Sequence, residues 1–287
     1  MNIKVDNLQF AYSVFKVLNI SSVEFEHGKV YGIVGRNGVG KTTFFKALTN
    51  IITNYSGSVL MDDVNIKNNL KALSKVGIVL DDMGLYKNQT GLFNLRYFGG
   101  LRGGFDEKRA LQLAQELEID DSLNKKVKNF SLGMNKKLIL LISLMNDAEI
   151  LIFDEPFRGL DIKSVNWFRN YLLDLKKQGR MILISSHVQD DIESLCDKVL
   201  VMNNGDFSDI FDLKNPAQNY VYRVEVSDKN LFTELLRSNQ ISFDEQEKFI
   251  KFELNETKYK ELFKLAVAKD IEFLQIKKEN KFIDLIK

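Results

Sequence analysis

A chain of 287 residues has room for one large domain or two smaller ones, and 45% hydrophobic with 28% charged residues is enough for a full buried core. Its 40 basic and 39 acidic residues leave a net charge of +1, which removes the electrostatic case for DNA or an anionic membrane as the main partner. The single cysteine, Cys196, excludes an internal disulfide and fits a reducing compartment, and the densest apolar run, Leu138–Met145, falls short of the roughly 18 residues of a spanning helix.

Met1–Asp6 lacks the hydrophobic region of a signal peptide, so a cytoplasmic chain is expected. Residues 2–8 and 17–26 alternate apolar and polar side chains and are read as antiparallel strands, with Phe10-Ala11-Tyr12 between them. Val30–Val34 is a short apolar run, read as a buried strand. It leads into G-x-x-x-x-G-K-T from Gly35 to Thr42, and the residues after it read as the first turns of a helix. Strand, glycine-rich loop and helix in that order make a phosphate-binding loop. Gly35, Gly38 and Gly40 let the backbone turn and bring N–H groups up to phosphate oxygens, with Asn37 and Thr43 in the same cradle. Lys41 would reach the β- and γ-phosphates, and the Thr42 hydroxyl would bind Mg²⁺.

Gly57–Met61 reads as a short strand and Lys75–Leu80 as a core strand leading to Asp81-Asp82. From about Leu85 to Asp147 the pattern turns helical, with Asp106 as a candidate N-cap for the helix that follows it. Strand signals resume at Ile150–Phe153 and Met181–Ile184. This alternation predicts an α/β fold with a mainly parallel sheet and residues 85–147 inserted as a helical subdomain. Beyond Gly205 the character changes. Residues 219–226 read as a strand and 228–238 as a helix. Ile241–Phe243 and Phe249–Leu254 read as paired strands, 256–268 as a helix, and 271–276 and 282–286 as strands. The order β-α-β-β-α-β is that of a split βαβ, ferredoxin-like unit. The expected division is a nucleotide-binding domain over 1–210 and a small α+β accessory domain over 217–287, with Pro216 in the linker.

Two further segments carry chemistry. Ile150-Leu151-Ile152-Phe153-Asp154-Glu155 is an apolar strand ending in two carboxylates, a Walker B arrangement: Asp154 would hold Mg²⁺, directly or through water, and Glu155 would polarise the attacking water. Phe130-Ser131-Leu132-Gly133-Met134 opens a helix with Ser131 as its N-cap. Alone, that segment reads more readily as an ordinary capped helix than as a site for a second nucleotide.

With Arg158-Gly159-Leu160-Asp161 and Ile184-Ser185-Ser186-His187 following, the order of motifs resembles the nucleotide-binding subunit of ATP-binding cassette (ABC) transporters over residues 1–205. The resemblance implies a P-loop NTPase core of the ABC ATPase type, with an antiparallel β subdomain beside the parallel sheet. It implies that Tyr12 stacks on adenine, the alternative being a core aromatic of the β region. It implies that Ser131 and Gly133 contact the γ-phosphate held by the opposite subunit, that Asp161 couples the two sites, and that His187 touches the γ-phosphate and the water. Three features depart from the family pattern. Asp81 stands where the family has a glutamine that reaches Mg²⁺, or a glutamate in peptide-antibiotic and lantibiotic transporters, so a metal contact from Asp81 is expected through water. Arg158 replaces a small polar residue, and the signature reads S-L-G-M in place of S-G-G-Q.

ATP and Mg²⁺ follow as cofactors. So does a second ATPase subunit, expected as a homodimer, and a separate integral membrane permease of an exporter. The chain would lie on the cytoplasmic face of the membrane, with no nucleic acid partner. Two alternatives have other functions: a nucleotide-gated binding subunit with little hydrolysis, and a soluble ABC ATPase acting on nucleic acid or ribosomes.

Overall fold

Alternate burial of Ile3, Val5, Leu8 and Phe10 makes β1 (Ile3–Tyr12) a half-buried strand. It pairs antiparallel with β2 (Phe15–Phe25) in a register running from Ile3↔Phe25 to Tyr12↔Phe15, so Ser13 and Val14 alone turn the hairpin. Tyr12 therefore ends a strand and does not lie in a loop between shorter strands, as the sequence pattern suggested. The turn is the reason: Ser13 takes a left-handed φ of 56°, which lets two residues close the hairpin. β3 (Val30–Val34) is buried at every position and runs through the phosphate loop into α1 (Lys41–Leu48). β4 (Ser56–Met61) returns antiparallel along the other edge of β1, and β5 (Val64–Asn65) completes a sheet of order β2-β1-β4-β5. Gly57 is required there. At φ 83° its Cβ would stand 2.1 Å from the Asn7 carbonyl oxygen.

A computed structural model describes residues 1–81, 83–101, 105–215, 217 and 219–283. After β6 (Val76–Val79) come three helices, α2 (Gly91–Gly100), α3 (Glu107–Glu116) and α4 (Leu132–Leu144), capped by the side chains of Thr90, Asp106 and Ser131. Then follow β7 (Ile150–Asp154), α5 (Ile162–Lys177), β8 (Met181–Ser185), α6 (Gln189–Leu195), β9 (Lys198–Asn203) and β10 (Asp206–Asp212). They complete a six-stranded sheet of order β10-β9-β3-β8-β7-β6, in which β9, β3, β8, β7 and β6 pair parallel. β3, β7 and β8 are continuous apolar runs because a parallel sheet of this kind is covered on both faces. One core cluster joins Ile3, Phe25 and Val59 of the antiparallel sheet and Ile33, Ile152 and Leu183 of the parallel one to Phe44, Phe45, Ala47 and Leu48 of α1. That packing holds α1, and hence the loop before it, against both sheets.

The chain divides into two compact units, Met1–Ile210 and Phe211–Lys287. The second contains β11 (Asn219–Val226), α7 (Lys229–Ser238), β12 (Phe243–Glu245), β13 (Ile250–Asn255), α8 (Glu256–Val267) and β14 (Phe273–Asn280). Its sheet has the order β12-β13-β11-β14, with every pair antiparallel. Its core gathers Tyr222, Val224, Phe232, Phe252 and Leu262, and the rings of Tyr222 and Tyr259 stack at 3.9 Å. The last strand ends at Asn280, and the further strand read at 282–286 does not form where it can be seen. Phe282 and Ile283 are both buried and helical, whereas consecutive strand residues would face opposite sides. Residues 284–286, Asp82 and Pro216 lie outside the described residues.

Candidate functional site

α1 differs from α2, α3, α4 and α5 in having no side chain cap, since Gly40 at φ 113° precedes it. Its first-turn N–H groups and the positive end of its dipole face the phosphate loop. The loop itself needs glycine at its start: a Cβ on Gly35 would come 2.4 Å from the Met202 carbonyl oxygen. Lys41 is 8% exposed, and its Nζ folds back to donate to the carbonyls of Gly35 (2.7 Å) and Arg36 (3.1 Å). Burial pushes its pKa down, while the carboxylates of Glu155 and Asp154 pull the other way.

The end of β7 meets this lysine. Thr42 Oγ1 donates to Asp154 Oδ2 at 2.5 Å, and Ser185 Oγ donates to Asp154 Oδ1 at 2.6 Å. The same Ser185 oxygen accepts the Glu155 N–H at 3.0 Å. Glu155 takes a left-handed φ of 48°, a conformation that non-glycine residues hold only where surroundings enforce it. Its Oε1 lies 3.1 Å from His187 Nε2. Burial raises the Glu155 pKa, with His187 as the main opposing influence. Lys41, Thr42, Asp154, Glu155 and His187 line a cleft of about 810 Å³ together with Asn37, Gly38, Gly40, Thr43 and Asp81. The hydroxyl of Thr42 and the carboxylate of Asp154 are hard oxygen donors in contact, a set suited to Mg²⁺, which keeps several of its waters and takes few protein ligands.

Tyr12, Gly35, Ser131, Gly133 and Asp161 lie outside the lining of this cleft. Tyr12 is half exposed at the end of β1, edge-on to Phe10 with ring centroids 4.7 Å apart. Ser131 caps α4 by accepting the Met134 N–H at 3.2 Å, and a Cβ on Gly133 would stand 3.3 Å from the Gly159 carbonyl. Asp161 caps α5, accepting the Ser164 N–H at 2.8 Å, and pairs with Lys137 at 2.9 Å. The Lys137 ammonium, with help from Ser164, holds the Asp161 carboxyl well below the usual carboxylate range. Asp81 reaches the cleft, but its carboxylate pairs with Lys136 at 2.7 Å and Arg158 at 3.6 Å, and Lys136 lowers its pKa.

Sequence reasoning missed the residues that hold this site in place. Ser185 was visible as a polar residue closing an apolar strand, but the Asp154↔Ser185 register of β7 and β8 was not. Behind His187, Arg169 of α5 donates to the buried Asp191 at 2.7 Å. Asp191 accepts from Ser186 at 3.2 Å, and Ser186 Oγ accepts the Val188 N–H at 3.0 Å. Ser185→Ala leaves Asp154 and the Glu155 N–H each short of a partner in a buried place. A loss of about tenfold in kcat for ATP hydrolysis is expected, with KM for ATP within about threefold, from the cost of an unsatisfied buried group. Unchanged steady-state turnover would mean that both carboxylates keep their positions without Ser185.

The ABC transporter family pattern matches residues 18–158. The ABC transporter ATP-binding protein NatA of Bacillus subtilis (strain 168) is 34% identical over 198 residues, covering 67% of this chain and 80% of that protein. The bacitracin transport ATP-binding protein BcrA of Enterococcus faecalis is 33% identical over 242 residues, 83% of this chain and 78% of that one. The lantibiotic transport ATP-binding protein SrtF of Streptococcus pyogenes is 33% identical over 195 residues, 68% and 84% of the two chains. A solved dimeric ATP-binding cassette in a post-hydrolysis state, bound to ADP and Pi, shares the fold with a TM-score of 0.69 at 20% identity, over 74% of this chain and 99% of that one. This chain therefore belongs to the ABC transporter family, as an ATP-binding subunit and ATPase.

Proposed function

We propose that this chain burns ATP, with Mg²⁺, to drive a separate membrane permease of an exporter. The observation that carries the reading is the contact of Thr42 with Asp154 in one cleft with Lys41 and Glu155. Mg²⁺ held by Thr42 and Asp154 would neutralise charge on the phosphates. Lys41 exchanges its two carbonyl partners for phosphate oxygens, and the backbone of Gly35, Asn37, Gly38, Gly40 and Thr43 closes around the same group. Glu155 polarises the attacking water, and His187 reaches the γ-phosphate beside it. Tyr12 stacks on adenine. A second copy, arranged head-to-tail, presents its Ser131, Gly133 and Asp161 to the nucleotide, which accounts for their standing outside the cleft of one copy.

The permease reading rests on the chain's surface and its relatives. Among the described residues, no helix is long and apolar enough to cross a membrane. Beyond Asp81, the rings of Tyr86, Phe93 and Tyr97 cluster and remain partly exposed, with Tyr86 and Tyr97 centroids 4.9 Å apart. Buried Asn94 anchors that segment by accepting the Tyr86 N–H at 2.8 Å. The patch suits a helix of a membrane partner on the cytoplasmic face. Relatives that transport bacitracin and lantibiotics support an antibiotic peptide as cargo. The unit from Phe211 onward serves as an accessory domain. Tagged chain extracted from membranes in detergent is expected to bring down an integral membrane protein, and alanine at Tyr86 and Tyr97 to release it with ATP binding intact. Recovery with ribosomes or nucleic acid in place of a membrane protein would overturn the permease reading.

A further inference from the structure

Asp81 and Arg158 stand where the family pattern has a glutamine and a small polar residue, and the fold brings the two departures together. Asp81 Oδ1 accepts a hydrogen bond from Lys136 Nζ at 2.7 Å, and its Oδ2 lies 3.6 Å from Arg158 Nη1. Lys136 and Lys137 are consecutive on α4, about 100° apart around the helix, so they reach to different sides. The second pairs with Asp161. Both lysine side chains are packed along their length, 11% and 10% exposed, which leaves their ammonium heads few other positions. α4 thus grips the segment after β6 with one lysine and the segment after β7 with the next. Both oxygens of Asp81 already face a cation, while Thr42 and Asp154 face each other.

We propose that Asp81 is a positioning residue and not a magnesium ligand. It is the acceptor of a clamp within one chain, Lys136–Asp81–Arg158, that together with Lys137–Asp161 ties both segments to the helix carrying Ser131 and Gly133. The two unusual residues then form one compensated set: aspartate is short enough to stay with Lys136, and Arg158 adds the second cation. Only the kinetic consequence rests on the ATPase reading. The clamp sets how the signature helix follows the cleft, and so bears on turnover more than on metal affinity.

A double-mutant cycle of Asp81→Asn and Lys136→Met tests this. In the full chain carrying Glu155→Gln, the Mg²⁺ midpoint for binding a fluorescent ATP analogue is expected to stay within about twofold for Asp81→Asn. In the otherwise unaltered chain, each single substitution is expected to lower kcat by about 2- to 5-fold, the scale of a half-exposed ion pair, and the double variant to lose no more than either. A Mg²⁺ midpoint raised about tenfold or more by Asp81→Asn, with Lys136→Met unchanged, would make Asp81 a ligand and overturn the clamp. Additive losses would overturn it as well. Urea unfolding of the nucleotide-free chain reads the same coupling without any nucleotide. A chain that binds no ATP yet shows that coupling would sink the ATPase reading and keep the clamp, and absent coupling would sink the clamp.

Discussion

Glu155→Gln is expected to lower ATP hydrolysis by about 10²–10³-fold or more, because the amide keeps the shape of the side chain and loses the charge that polarises water. ATP binding should persist, and a dimer should accumulate in ATP when the two copies can close on nucleotide and cannot turn it over. Phosphate release and size-exclusion chromatography with ATP measure both. Hydrolysis within about threefold of the parent would remove Glu155 from the reaction. The buried setting adds a pH signature. Burial raises the Glu155 pKa above that of an ordinary glutamate, and the reaction needs the ionised form, so the acid limb of kcat should lie above the ordinary carboxylate range. The sign for stability is the reverse. A carboxyl whose pKa is raised on folding contributes stability below its unfolded value and loses that contribution as pH rises through the folded value. At neutral pH the charged Glu155 therefore strains the fold, together with its left-handed backbone, and the neutral glutamine should raise the thermal midpoint slightly as it removes activity.

Lys41→Ala is expected to weaken ATP binding by about 100-fold or more, measured by calorimetry or by a fluorescent ATP analogue. Two losses add. The phosphates lose their cation within a cleft where Asp154 and Glu155 are both acidic, and the carbonyls of Gly35 and Arg36 lose the donor that holds the empty loop in shape. The depressed pKa of Lys41 marks a burial cost that the Glu155 and Asp154 carboxylates offset only in part, and that phosphate oxygens would offset further. Arginine should not rescue it, since a planar fork does not fit the space of a single ammonium. Affinity within about tenfold of the parent would mean that backbone N–H groups and the helix dipole hold the nucleotide by themselves.

Reading the sequence went furthest where chemistry is written in consecutive residues. The glycines before Lys41 and Thr42, the apolar run ending at Asp154 and Glu155, and the capping residues Asp106 and Ser131 each act within a few positions of themselves, so spacing alone exposes them. The same holds for the parallel sheet, whose strands β3, β7 and β8 are buried on both faces and so appear as unbroken apolar runs. The hairpin at Tyr12 was misread because one left-handed residue, Ser13, decides whether a segment is loop or strand, and serine carries no strong signal for that conformation. Asp81 enters as a metal candidate through the family position it occupies, and its partners Lys136 and Arg158 lie too far along the chain for spacing to reveal them.

By itself, then, the sequence determined that this chain is a nucleotide-binding α/β protein with a phosphate loop and an acidic strand end, because those depend on local backbone geometry and hydrophobic period. Only the tertiary structure decided which groups hold those residues in place. Strand register sets Ser185 beside Asp154, helix packing sets Lys136 beside Asp81 and Lys137 beside Asp161, and neither is encoded within any short stretch of chain. Pairs like these are fixed by the packing of elements far apart in sequence, where side chains find partners by burial and charge.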